Sequence, residues 1–279
     1  MRFTDLDPAS FADATIFLDI DGTLLAVVLL ASLVVAMQVG HVLGRRLEPE
    51  LRERIAGHVN LIQGSVLGLM ALLLGFTFSL SLQRFDSRSE AAVNEANAIR
   101  TAYLRSELLT ASIRDAVQQS LRDFVDLRVE MVAVSPARKT ELNALIAEAR
   151  RQVDGLRDQA VEAVLVDPRS PHADPYVQAV NAMIGELVKR DAAMTRHVPE
   201  TVLLLLCGTF LITAMIMGYA TGIAGHRTSF VAYLMIGLIA ILAYLIIDLD
   251  RPRRGLVQVS EKSLRDLQAD MRTVPSQAR

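Results

Sequence analysis

Residues 61–82 read LIQGSVLGLMALLLGFTFSLSL, an apolar run with Gln63 near its start and no charged side chain inside. A helix rising about 1.5 Å per residue crosses a hydrocarbon core of about 30 Å with a run of this length. Three further runs are comparable: Leu24 to about Leu43, Val202 to Ala220, and Phe230 to Ile247. The first is interrupted only by Ser32, Gln38 and His41. In lipid each backbone polar group must be bonded within its own segment, so the reading is four transmembrane helices. Spans one and two form one hairpin, and spans three and four another. Arginines flank the runs at 45, 46, 84, 88, 196, 251, 253 and 254, and Pro199 precedes the third, where a missing N–H costs little. Gly222 and Gly225 are expected to punctuate the turn between spans three and four.

Composition agrees. The 279 residues are 52% hydrophobic but only 5% aromatic, and the mean hydropathy is +0.33. Clustered apolar runs beside one long polar stretch mark a membrane protein with a substantial polar region. A net charge of −2 gives nucleic acid no electrostatic handle. The single cysteine, Cys207, excludes an intrachain disulfide and a Cys-rich metal site. The first 22 residues hold five aspartates and only Arg2, the wrong charge for a secretory signal, so the first run is read as a retained span. Lys and Arg near the membrane are concentrated on the side holding both termini and the middle segment, which places these in the cytoplasm.

The middle segment, 84–198, reads as helical. Ala, Leu, Arg, Glu and Gln dominate it, all good helix formers. No Gly or Pro falls between Gly75 and Leu109, so a continuous helix is expected to leave span two. Ser112 with Asp115 resembles a capping box that restarts a helix after Leu109. Ser135-Pro136 marks a break, 137–165 forms another helix, and a proline-rich turn ends at Asp174-Pro175. A last helix covers 176–197. The charges of the middle segment read as a solvated face with pairs such as Arg122/Asp126 and Arg150/Asp154. The expected organisation is an acidic N-terminal segment (1–22), transmembrane hairpin 1 (23–83), a cytoplasmic helical domain (84–198), transmembrane hairpin 2 (199–249) and a C-terminal tail (250–279).

Three patterns bear on function. Asp19-Ile20-Asp21-Gly22-Thr23 matches the DxDGT nucleophile loop of haloacid-dehalogenase phosphatases. That chemistry needs a buried parallel strand, whereas here the loop runs into a span and no βα alternation follows. The five histidines lack metal-ligand spacing, and no G-x-S-x-G is present. The expectation is therefore no enzyme, no catalytic residue, no metal and no cofactor. In span two, Gly64, Gly68, Ala71, Gly75 and Ser79 recur at three or four residues and form a face suited to close helix packing. A second, apolar face of Leu72, Phe76 and Leu80, with Gln83 at its polar end, could line a constriction if copies surrounded an axis. The spans hold no Asp, Glu, Lys or Arg between their ends, which argues against coupled transport. Arg84, Asp248, Asp250 and Arg251 gather at the membrane mouth, either as a charged ring or as an ion-paired helix end among lipid headgroups.

Leu73-Leu74-Gly75-Phe76-Thr77-Phe78-Ser79-Leu80, Glu95-Ala96-Asn97 and Asp248-Leu249-Asp250-Arg251-Pro252, with the two-hairpin plan, resemble the bacterial bestrophin-like domain family over roughly residues 20–268. That family is distantly similar to bestrophin anion channels. The resemblance implies a homo-oligomer, a pentamer, with span two nearest the axis and its neck at Phe76, Leu72 and Gly68. Gly68 stands where the resemblance implies a bulky residue, and the chain has no tryptophan. It further implies a multi-pass protein of the bacterial inner membrane, in contact with lipid and passing halide or another small anion. The alternative is a non-conducting scaffold that binds a partner through its helical domain.

Overall fold

In a computed structural model, residues 22–135, 138–166, 171–225, 229–251 and 257–273 are described. Among them there are helices and no strand. In chain order they are α1 (Gly22–Arg45), α2 (Pro49–Ser106), α3 (Ala111–Ala133), α4 (Lys139–Val166), α5 (Ala173–Thr195), α6 (Glu200–Ile223), α7 (Phe230–Asp250) and α8 (Lys262–Thr273). Four of them, α1, α2, α6 and α7, are long and apolar enough to cross a membrane. The chain divides into two compact units. One joins the described part of Ala14–Phe85 to that of His197–Val257, and the other joins Asp86–Arg196 to the described part of Gln258–Arg279.

In the first unit α1, α6 and α7 surround a core of Leu33, Met37, Phe210, Ala214, Ile236 and Ile246, with Met70 of α2 added from the side. The tightest crossing is not within either expected hairpin. It joins α1 to α6, and glycine makes it possible. A Cβ on Gly40 would fall inside the Met215 carbonyl, and one on Gly218 inside the Met37 carbonyl. Gly44 and Gly222 meet the backbones at Tyr219 and His41 in the same way. Two G-xxx-G pairs thus face each other and bring the backbones into contact, the arrangement small residues permit between membrane helices. His41, buried at this crossing, lies 3.2 Å from the Thr221 hydroxyl through Nδ1. Gly222 therefore belongs to this crossing and not to the turn. The turn glycine is Gly225, whose φ of 70° lets the chain leave α6 in the left-handed conformation. Ser229 then caps α7, accepting from the Val231 N–H at 3.3 Å.

The second unit is built on the later turns of α2. The expected long helix forms without a break from Pro49 to Ser106, with proline at its first position. Ile99, Tyr103, Leu121, Phe124, Leu156 and Met183 form the centre of the core. The boundaries differ from the sequence expectation at three places. Thr110, not Ser112, occupies the N-cap of α3, and the Ser112/Asp115 capping box does not form, because Ser112 already lies within the helix. Asp174-Pro175 falls inside the first turn of α5, where a missing N–H is harmless. The segment after span four is more than a tail: α8 buries Leu264, Leu267 and Met271 against the helical core. The expected Arg122/Asp126 pair is also replaced. Arg122 donates to the Tyr103 hydroxyl at 2.6 Å and to the Met271 carbonyl, while Asp126 accepts from Arg272 and Gln268. Both side chains serve to hold α8. The expected solvated pairing is seen elsewhere on the surface, as Arg138–Glu141, Arg151–Glu148 and Lys189–Glu186; such exposed pairs contribute little to stability.

Candidate functional site

The two faces of α2 differ. On its exposed side Leu61, Ser65, Gly68, Leu72, Phe76 and Ser79 follow one another at steps of three or four. Gln83, Asp86, Glu90, Asn94, Asn97 and Thr101 continue the same line, and all are exposed. Steps of three and four that average 3.6 keep these residues on a single stripe of one helix. Phe76 is 63% exposed and Leu72 55%. The other spans expose bulky aliphatic side chains, such as Val27, Val35 and Val39 on α1 and Leu234, Leu238 and Ile241 on α7. The stripe on α2 instead mixes in Gly and Ser, which cover little surface and suit a close neighbour or an aqueous path better than lipid chains.

The candidates for close packing, Gly64, Gly68, Ala71 and Gly75, lie on or beside this exposed side. A Cβ on any of these glycines meets nothing within 4 Å in the chain itself. Within one chain the close crossing is made instead by Gly40, Gly44, Gly218 and Gly222. Their spacing of four was already legible in the sequence. Gly68→Ala is accordingly expected to meet no clash within the isolated chain in detergent and to raise its stability to thermal melting by no more than about 1 kcal/mol, the helix-propensity difference between Ala and Gly. A change in oligomer size with this variant would locate Gly68 between copies.

The opposite side of α2 is fully engaged. Arg84 donates to the His197 carbonyl. Arg88, wholly buried, donates to the carbonyls of Ala193 at 3.2 Å and Arg196 at 2.5 Å, capping the C-terminal end of α5. Two turns on, Glu95 is also wholly buried. It accepts from Arg128 Nε at 2.6 Å and from Arg190, and Arg190 forks onto Glu261 at 2.7 and 2.8 Å. Burial alone would raise the Glu95 carboxyl, but the two guanidiniums outweigh it and hold it below the usual carboxylate range. At Asp191 the balance is reversed: burial pushes its carboxyl up, outweighing the pull of Arg128, Arg190 and Arg150. This network ties α2, α3, α5 and the residue leading into α8. Sequence reasoning missed it, although Arg88 and Glu95 share a helix line with the apolar Ala92, Ile99 and Ala102, a legible sign of buried charge.

The expected membrane-mouth residues come together at the end of α7, and they are buried. Asp248 and Asp250 are 2% exposed and Arg251 5%. Both carboxylate oxygens of Asp250 accept from the Val198 N–H at 3.1 Å, and His197 Nδ1 lies 3.2 Å from its carbonyl. Asp248 accepts from the Val257 N–H at 3.0 Å. Arg251 reaches the start of α1, where a Cβ on Gly22 would stand 3.0 Å from its guanidinium. The two aspartates thus pin the chain before α6 and after α7, where backbone groups at helix ends need partners. Arg84 belongs to the same junction through the carbonyl of His197. Among the described residues no group of three or more His, Cys, Asp or Glu is placed to hold a metal ion. Asp19 and Asp21 lie outside the described residues.

The helical architecture, the four apolar helices and the exposed stripe on α2 define a multi-span membrane protein with an attached helical unit. The family model of the Bestrophin-like domain matches residues 26–264. The chain belongs to the bestrophin-like domain family. No curated protein and no solved structure matches it.

Proposed function

We propose that this protein is a passive conduit for small inorganic ions, formed when several copies bring the exposed stripe of α2 to a common axis. The observation that carries this reading is the stripe itself: unbroken, small or hydroxylated among its apolar positions, and continued by polar residues beyond the span. Leu72 and Phe76 form the apolar constriction and Gly68 gives it width. The bacterial inner membrane is the setting, with the helical unit and both termini cytoplasmic, a side supported by the Lys/Arg bias. Five copies and a halide or similar small anion are what the resemblance to bestrophins implies. The protein performs no covalent chemistry and needs no cofactor, and lipid is its obligatory partner.

The test is flux from liposomes holding the purified protein. Wild type is expected to release a small-ion gradient, and Phe76→Ala, which widens the constriction, is expected to raise the rate about tenfold. If both proteins leave the gradient intact, the conduit reading fails. A non-conducting scaffold acting through its helical unit then takes its place.

A further inference from the structure

We infer that the conduit selects cations over anions, through Asp86 and Glu90. This rests on the stripe of α2 facing the axis, as proposed above. From Leu61 to Thr101 the stripe carries these two carboxylates, the amides of Gln83, Asn94 and Asn97, and no basic side chain. The absence of positive charge is not an accident of composition, because the same stretch of α2 contains Arg84 and Arg88. Both are turned to the opposite side, where backbone carbonyls hold them. Arg100, the next arginine along the helix, is held by Asp270 at 2.7 Å. Among the described residues neither Asp86 nor Glu90 makes an ion pair, and both are exposed. The fold thus takes up the positive charge near the end of the span and leaves the negative charge on the free side.

Repeated around an axis, one turn apart and just past the apolar constriction, these side chains form two carboxylate rings. Rings of this kind favour cations. Facing carboxylates also repel one another, and a cation between them relieves that repulsion. At the other end of the stripe Glu50, Arg54 and His58 present mixed charge and no comparable preference. The anion preference implied by the distant similarity to bestrophins therefore has no counterpart on this face.

The experiment is a reversal-potential measurement on the full chain in planar bilayers, under a tenfold KCl gradient. Wild type is expected to reverse toward the potassium equilibrium potential, with potassium favoured over chloride about tenfold. D86N/E90Q is expected to bring that ratio to about one, and Glu90→Lys to favour chloride. Both side chains lie outside the core, so these variants retain the fold. Chloride preference in wild type overturns the inference and leaves the conduit standing. So does a potassium preference that D86N/E90Q leaves unchanged. Absence of any conductance in wild type overturns the conduit and the selectivity together.

Discussion

Glu95→Ala is expected to destabilise the helical unit by about 3–5 kcal/mol, the usual cost of removing one partner from a buried charge pair. The substitution leaves Arg128 and Arg190 facing each other with no carboxylate between them. It also weakens the hold on Glu261, because Arg190 can then swing away. Thermal unfolding in detergent, followed by circular dichroism, measures the loss. Limited proteolysis should show α8 released first. The pH dependence follows from the same contacts. A carboxyl held below its ordinary range contributes stability that is complete above its unfolded value and disappears as pH falls through the depressed folded value. The helical unit should therefore withstand mild acid and open only below the ordinary carboxylate range. Glu95→Gln should remove this dependence. Asp191 acts in the opposite sense: burial raises its carboxyl, so protonating it relieves a cost. An Asp191→Asn protein that keeps the acid transition would assign that transition to Glu95.

Gly218→Val is the second severe change expected. Its Cβ would occupy the Met37 carbonyl, and backbone cannot swing aside as a side chain can. Helices α1 and α6 must separate, opening the contacts of Leu33, Met37, Phe210 and Ala214. Overpacking of a filled core costs about 1–3 kcal/mol, and a backbone clash belongs at or above the upper end of that range. Gly40→Val should match it, because the contact is reciprocal, and the two together should cost less than their sum once the helices have parted. Differential scanning of the detergent-solubilised protein reads these losses. A Gly218→Val protein as stable as wild type would mean that α1 and α6 do not cross here.

The four apolar helices were plain in the sequence because lipid imposes a length and a composition that few soluble helices meet. The reach of α2 was equally legible, since nothing between Gly75 and Ser106 interrupts it. The choice of helix partner was not. Glycines spaced by four occur on α1, α2 and α6 alike, and spacing alone does not tell which stripe finds its partner within the chain. α8 escaped notice because twelve residues with three large apolar side chains look like a polar tail until a surface exists for them to cover. At the candidate site, Leu72 and Phe76 were identified as a face from periodicity, and they are exposed. Asp248 and Asp250 were placed by charge alone, and charge does not report burial; both are spent on backbone N–H groups. The Glu95 network joins residues far apart in sequence, so only their position on an otherwise apolar helix line hinted at it.

The central claim is that the stripe on α2 faces water while the equally exposed aliphatic residues of α1 and α7 face lipid. Single cysteines introduced in a Cys207→Ala background, with the protein in its membrane, test it through reaction with a charged, water-soluble thiol reagent. The account predicts fast modification at 65, 68, 72, 76 and 79, slow modification at the intervening positions, and none at 27 and 35 on α1 or 234 and 241 on α7. Modification at 72 and 76 no faster than at 35 and 241 would contradict it.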